Sequence, residues 1–573
     1  MNEAQTIEKM LKKDEEVVIY RLEKWAKESG EKPFYYYGEE NIHLSFREFN
    51  EMANKIGHNL MTYGINKGDR VSLLLNNAMV TTLAMFGIWK IGAVYCPINY
   101  NYRGRLLSYQ INDTKPKCLI TEKSLIPAIN EIKEDIDKIC VFIHEPHEGE
   151  HDFKIMNNSH VLDSKFEQNN FEQLAKGKTD NPMISLFYSD ICNIIYTSGT
   201  TGPPKGVVQT YRWMNNYTFY WRKFFDEDDI IINYFPLYHV GGAFFLTVMP
   251  TWVGAQIGMW DRYSAKDFWE RVQKCNASGA ALVDVMTPWL MKADETAIDR
   301  YNSLNKVYMQ PLPEYHHDFA KRFSIDFIVS GFMQTEAGCG CICIIDELEK
   351  GTPNDKYKGF PKSKIRKIAE EYDIAMVSGR RKIKKGFMGR PSQLYDANIL
   401  DSNDEEIEDG KVGELAFRPR FPNLLFREYF RNLEATQKAF RNLWFHTGDA
   451  SYKDKEGNYY FVDRIGGAIR VRGEIVSSYL VEDIINKHEK VNLCAVFPIP
   501  AEVGDEDDIV LYVVLKPQIE MGEGELQQWV EKQLPKFMWP KYIRFIDDLP
   551  KTPTSKIEKY KLREKIKEEL GRK

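Results

Sequence analysis

The stretch Tyr196-Thr-Ser-Gly-Thr-Thr-Gly-Pro-Pro-Lys-Gly206 constrains this chain more than any other. It follows the largely apolar run Ile191 to Ile195, which reads as a buried strand. Glycines let backbone approach an anion closely, Ser and Thr hydroxyls donate to phosphate oxygens, and Lys205 adds positive charge. Such a loop suits a polyphosphate, and an ordinary polar turn seldom joins this many donors to a lysine. It is not a Walker A loop, because counting from Gly199 puts Pro204 where that motif needs its second glycine.

Around the loop, strand-like runs (Val71 to Leu75, Cys118 to Thr121) alternate with helical periodicity (Phe46 to Tyr63, Thr81 to Ile91), an α/β pattern. Short alternating runs at Gly413 to Arg418 and Tyr459 to Arg464, bounded by turn residues, predict a β-rich segment late in the large part. Gly466-Gly467 then offers a hinge, since paired glycines absorb large backbone changes. A plain hairpin turn is the alternative. Beyond it, strands at Leu493 to Pro498 and Ile509 to Leu515 and a helix at Glu523 to Gln533 suffice for a small separate domain. The expected division is 1–465 and 466–573, with a polar, lysine-rich insertion at about 348–385 that reads as a solvated surface excursion carrying a short helix from Ser363 to Tyr372.

At 573 residues the chain exceeds what one core supports. A net charge of −6 and the lack of a basic stripe interleaved with aromatics point away from nucleic acid. No apolar run is long enough to span a bilayer, and the charged first residues lack a secretory signal's apolar core, so a cytoplasmic protein is expected. Nine cysteines fit a reducing compartment; Cys339, Cys341 and Cys343 are their only cluster and read as buried packing thiols rather than a metal site.

Several segments join the loop in a specific resemblance: Gly68-Asp69-Arg70-Val71, Lys90-Ile-Gly-Ala-Val-Tyr-Cys-Pro97, Phe235-Pro-Leu-Tyr-His239, Thr335-Glu336, Gly386-Phe-Met-Gly-Arg-Pro391, His446-Thr-Gly-Asp449, Asp463-Arg464 and Lys556. Together, in this order, they resemble the acyl-adenylate-forming superfamily of acyl-CoA synthetases, luciferases and peptide-synthetase adenylation domains. Gly386 to Pro391 and Arg472-Gly473-Glu474 are similar to its crotonobetaine/carnitine-CoA ligase branch. The resemblance covers nearly the whole chain. It implies an α/β fold, with a large N-terminal domain of two α/β subdomains plus a β-barrel and a small mobile α+β C-terminal domain.

The same resemblance implies the chemistry. A carboxylate attacks the α-phosphate of ATP, and the acyl-adenylate then passes to a thiol, with coenzyme A as co-substrate and Mg2+ offsetting the charge on the phosphates. Glu336, 131 residues after Lys205 and 113 before Asp449, falls at the magnesium position, with Thr200 as the second metal-binding residue. Thr197, Ser198, Gly199, Thr200, Thr201, Gly202 and Lys205 would hold the phosphates, and Phe332 would stack on adenine beside Thr335. Asp449 would accept from both ribose hydroxyls, with Arg464 supporting ribose or phosphate. Lys556 would bridge carboxylate and α-phosphate, His239 would gate the acyl and thiol channels, and Gly473 would lie beside the entering thiol.

Departures from the family pattern include Phe332 for the usual Tyr, Met333 for Gly, Ser555 for Gly, Gly466 at the hinge, and a bulkier Tyr308-Met309-Gln310. Asp284, near the expected acyl pocket, suggests a cationic acid partner or else a satisfied polar residue. Two alternatives stay open at this point: transfer to a carrier-protein phosphopantetheine, and a catalytically weakened protein that binds nucleotide or acyl ligands. A homodimer is also compatible with the sequence.

Overall fold

The computed structural model describes residues 3–13, 15–153, 160–197, 204–283, 286–296, 299–310, 312–348, 362–384, 386–464, 468–471, 474–502, 506–550, 557 and 559–572. The chain forms two compact units: Met1–Tyr100 with Ile111–Ile195 and Gly206–Val462, and Asn101–Gln110 with Tyr196–Lys205 and Asp463–Lys573. Residues 465–467, and with them the hinge expected at Gly466, lie outside the described residues.

Two sheets organise the first unit. In one, eight strands run in the order 428–429, 205–210, 191–197, 94–97, 70–74, 118–122, 140–144, 167–170. Its middle is parallel, 70–74 pairing with 94–97 and 118–122, and those strands are buried almost throughout, as crossover helices on both faces require. The helix Phe46–Thr62 starts at a capping box: Ser45 Oγ accepts from Glu48 N at 3.2 Å while Glu48 Oε2 accepts from Ser45 N at 2.8 Å. The helix Ala78–Lys90 is largely apolar and buried except at Met79, with Asn77 Oδ1 accepting from Val80 N at 3.0 Å.

The second sheet has fourteen strands. Its parallel half includes 256–259, 230–233, 279–283, 306–310 and 327–334. From 338–346 onward the pairing turns antiparallel, through 387–391, 459–464, 445–453 and 413–419 to 395–400. The late β-rich segment therefore exists as its alternation predicts, but its strands extend this open sheet and do not close into the expected barrel. Among the described residues, 395–400 has 413–419 as its ladder neighbour and nothing pairs it back to the start.

The described part of the 348–385 insertion is also integrated. The helix Lys362–Glu371 buries Ile365, Ile368 and Ala369, and the strand Ala375–Ser378 pairs in parallel with 343–346. Ion pairs from Arg366 to Asp346 (2.7 Å) and from Lys362 to the fully buried Asp326 (2.6 Å) fasten the helix. Its lysine-rich face conceals an apolar stripe that packs inward.

In the second unit, strands 491–500, 507–515 and 542–545 form one sheet and 468–471 with 474–477 a hairpin. Phe497, Tyr512, Leu549, Leu562 and Ile566 lie in its core. Among the described residues, no helix is long and apolar enough to cross a membrane.

Candidate active site

The strand Phe327–Gln334 carries Phe332 and leads into the turn holding Thr335 and Glu336. Phe332 is buried, its ring 5.7 Å from that of Phe417, so the aromatic platform is supported from beneath. Two glutamines tie this turn to the other motifs. Gln209, four residues after Lys205 on the strand Lys205–Thr210, donates from Nε2 to the Thr335 carbonyl at 2.9 Å. Gln334 donates to the Thr447 carbonyl at 3.0 Å. Both contacts are buried and join residues more than a hundred positions apart.

Glu336 is buried, and its Oε1 accepts from the Tyr429 hydroxyl at 2.9 Å. The short strand Glu428–Tyr429 positions that hydroxyl by pairing antiparallel with Val207 and Val208. Trp213 Nε1 and Phe426 N both donate to the Glu336 carbonyl, at 3.2 and 2.8 Å. Among the described residues no cation pairs with the Glu336 carboxylate. A buried carboxylate held by one neutral hydroxyl fits a divalent cation, whose charge would offset its desolvation.

Asp449 lies on the strand Phe445–Lys453 and is 1% exposed. The preceding Gly448 has φ of 74°, a conformation that glycine adopts without penalty. Its amide donates to Glu414 Oε1 at 3.0 Å, and His446 Nδ1 meets Glu414 Oε2 at 3.0 Å. Arg441 pairs with both Glu414 (2.9 Å) and Asp404 (3.0 Å). Burial raises the Glu414 pKa, but hydrogen bonds from His446 and Arg441 outweigh it and hold the carboxyl below its ordinary value.

His239 precedes the π-helix Gly241–Val248, in which Asn233 Nδ2 donates to the Gly242 carbonyl at 3.0 Å. A Cβ at Gly242 would fall 2.5 Å from the Pro236 carbonyl oxygen, so only glycine fits there. The His239 ring has exposed surface yet is crowded by protein, and that desolvation pushes its pKa down to about 4. Gly241 N donates to Nδ1 at 3.2 Å, which assigns the proton of the neutral ring to Nε2. Phe245 of that helix joins a buried aromatic cluster in the core: Trp213 stacks on Tyr217 (5.0 Å), Trp221 stacks on Phe245 (5.3 Å), and Tyr308 packs against Phe245 (4.8 Å).

Thr197 ends the strand Ile191–Thr197 and Lys205 opens the next, and these strands are neighbours in the first sheet. Ser198, Gly199, Thr200, Thr201 and Gly202 lie outside the described residues, as do Lys556, Gly473 and Asp284. Arg464 is the last residue of the strand Tyr459–Arg464. Cys339, Cys341 and Cys343 are all buried, burial raises their thiol pKa values, and they join no metal-binding cluster among the described residues. Sequence reading missed Gln209, Gln334, Tyr429 and Glu414, and only Glu414, beside a turn glycine in an alternating run, carried any local signal.

The profile of the AMP-binding enzyme family matches residues 22–430, well over half of the chain, and that of the AMP-binding enzyme C-terminal domain matches 480–556. The chain belongs to the AMP-binding enzyme family. Among relatives of this family member, crotonobetaine/carnitine–CoA ligase of Salmonella typhimurium is 28% identical over 534 residues, covering 91% of this chain and 93% of that protein. The protein of the same name from Proteus mirabilis is 29% identical over 521 residues, covering 90% and 92%. Solved structures share the fold: o-succinylbenzoate CoA synthetase from Bacillus subtilis has a TM-score of 0.73 at 19% identity, covering 95% of this chain and 97% of its own. Amide bond synthetase from Marinactinospora thermotolerans has a TM-score of 0.75 at 18% identity, covering 96% and 99%.

Proposed function

We propose that the protein is an AMP-forming acid–CoA ligase. A carboxylate oxygen attacks the α-phosphorus of ATP, the bond to the bridging oxygen of pyrophosphate breaks, and the coenzyme A thiol then displaces AMP from the acyl-adenylate. The observation that carries this reading is the buried turn ending in Glu336, to which Gln209 and Gln334 join the phosphate-loop strand and the His446–Asp449 segment. A nucleotide needs these three elements fixed to one another before its α-phosphate can be positioned for in-line attack.

Within that reading, Glu336 with Thr200 would hold Mg2+, which would supply charge stabilisation to the phosphates. Asp449 takes the ribose diol, Phe332 stacks on adenine, and Lys205 with the 197–202 segment binds phosphate oxygens. Arg464 supports the ribose or phosphate. Lys556, on a C-terminal domain that swings about Gly466, serves the first half-reaction and leaves for the second, when Gly473 comes to flank the thiol. His239, neutral at pH 7, gates the acyl channel and donates no net charge to it.

The acid is a quaternary-ammonium carboxylate. The names of the Salmonella and Proteus relatives support this class. The test is product analysis: protein, ATP and Mg2+ with betaine-type, straight-chain and aryl acids, offered free CoA or a phosphopantetheine carrier protein. AMP and an acyl-CoA from the betaine-type acid alone is the expected result. Thioester on the carrier only would overturn the CoA assignment, and turnover of another class would overturn the substrate.

A further inference from the structure

Away from that site, the segment after the strand Cys140–His144 folds back over the start of the helix Ala78–Lys90. Asn77, the capping residue, donates from Nδ2 to Asp152 Oδ2 at 2.9 Å, and Glu122 Oε2 accepts from Asn76 N and Asn77 N at 2.8 and 3.1 Å. His151 is saturated: Nδ1 meets Glu40 at 2.7 Å and Nε2 meets Asp261 at 2.8 Å, so it has no lone pair to offer.

Its neighbours differ. His144 Nε2 is buried and has no hydrogen-bond partner among the described residues, and the same holds for Asp152 Oδ1. The Asp152 side chain is only 7% exposed. Asp152 Oδ2 takes the bond from Asn77, while Oδ1 has no hydrogen bond and stands 4.0 Å from His151 Nδ1. His144 Nε2 stands 3.6 Å from Asp152 Oδ2, too far for a hydrogen bond. Two ligands each about 2.1 Å from one tetrahedral ion would lie about 3.4 Å apart, close to that separation. Glu150 brings a third donor, and the donor atoms of His144, Glu150 and Asp152 all lie within 4.8 Å of one another.

We propose that His144, Glu150 and Asp152 bind one divalent transition-metal ion of the zinc class, which pins the 145–153 segment to the start of the helix Ala78–Lys90. The imidazole donor favours such an ion over magnesium or calcium, which take oxygen ligands. Burying a ring nitrogen without a hydrogen-bond partner is costly, and an ion held between His144 Nε2 and Asp152 Oδ2 would satisfy it. The role is structural and separate from the ligase reaction.

The experiment loads the full-length protein with Zn2+, removes excess by gel filtration and measures retained metal by mass spectrometry, with Co2+ as a spectroscopic probe. One equivalent of zinc per chain is expected, together with a cobalt spectrum lacking a thiolate charge-transfer band. His144→Ala should weaken binding about 100-fold and Glu150→Gln about tenfold. Glu150 is partly exposed, so its variant keeps the comparison valid if His144→Ala does not fold. No retained zinc, equal retention by parent and Glu150→Gln, or a thiolate band pointing to cysteine ligands would each overturn the proposal.

Discussion

Glu336 and Glu414 are both largely buried carboxylates near the proposed nucleotide site, but they keep different company. Glu414 is saturated by His446, Arg441 and the Gly448 amide, whereas Glu336 has a tyrosine hydroxyl on one oxygen and no cation among the described residues. A saturated carboxylate fixes geometry, and one left short of positive charge is suited to receive it from a ligand. If that distinction is right, removing Glu336 should damage the reaction without damaging the fold, and removing Glu414 should do both.

The largest expected effect is from Glu336→Gln. Loss of the proposed metal-holding charge should lower adenylation about 100- to 1000-fold while leaving the thermal midpoint close to the parent's, as steady-state assays and calorimetry would show. A large drop in the midpoint would place Glu336 among the structural carboxylates and break the comparison. Glu414→Ala comes next. It orphans buried donors on Gly448 and His446 and should cost about 2–3 kcal/mol in denaturant unfolding, with a raised KM for ATP because the turn before Asp449 loosens.

Acid sharpens the same contrast. Glu414's native pKa lies below its ordinary value of 4.5, so its contribution is fully present above about 4.5 and is lost as the pH falls through the depressed native value. Unfolding experiments should show the parent losing stability over that range and Glu414→Ala losing less. Smaller still, Gln209→Ala and Gln334→Ala should each cost about 1 kcal/mol and raise KM for ATP severalfold. Tyr429→Phe should change stability least and shift mainly the Mg2+ concentration needed for half-maximal rate.

Much of this arrangement was legible beforehand. The helical periodicity from Phe46 to Tyr63 announced its helix, and the alternation at 413–418 and 459–464 announced strands. Strand alternation reports which faces are buried, not whether a sheet closes, which is why the expected barrel proved to be an extension of an open sheet. The strand Ala375–Ser378 was hidden because four residues between the acidic Glu370 to Asp373 and the basic Arg380 to Lys382 look like a surface excursion. Gln209 and Gln334 act through side-chain bonds to distant carbonyls, and such a bond has no period and no fixed spacing for a sequence to display.

The central claim is tested most directly by carboxylate-dependent ATP–pyrophosphate exchange in the parent and in Lys556→Ala, using betaine-type, straight-chain and aryl acids. The account predicts exchange that requires an acid, is strongest with the betaine class, and falls about 100-fold or more in the variant. Nucleotide binding with no exchange for any acid, or exchange indifferent to the loss of Lys556, would contradict it.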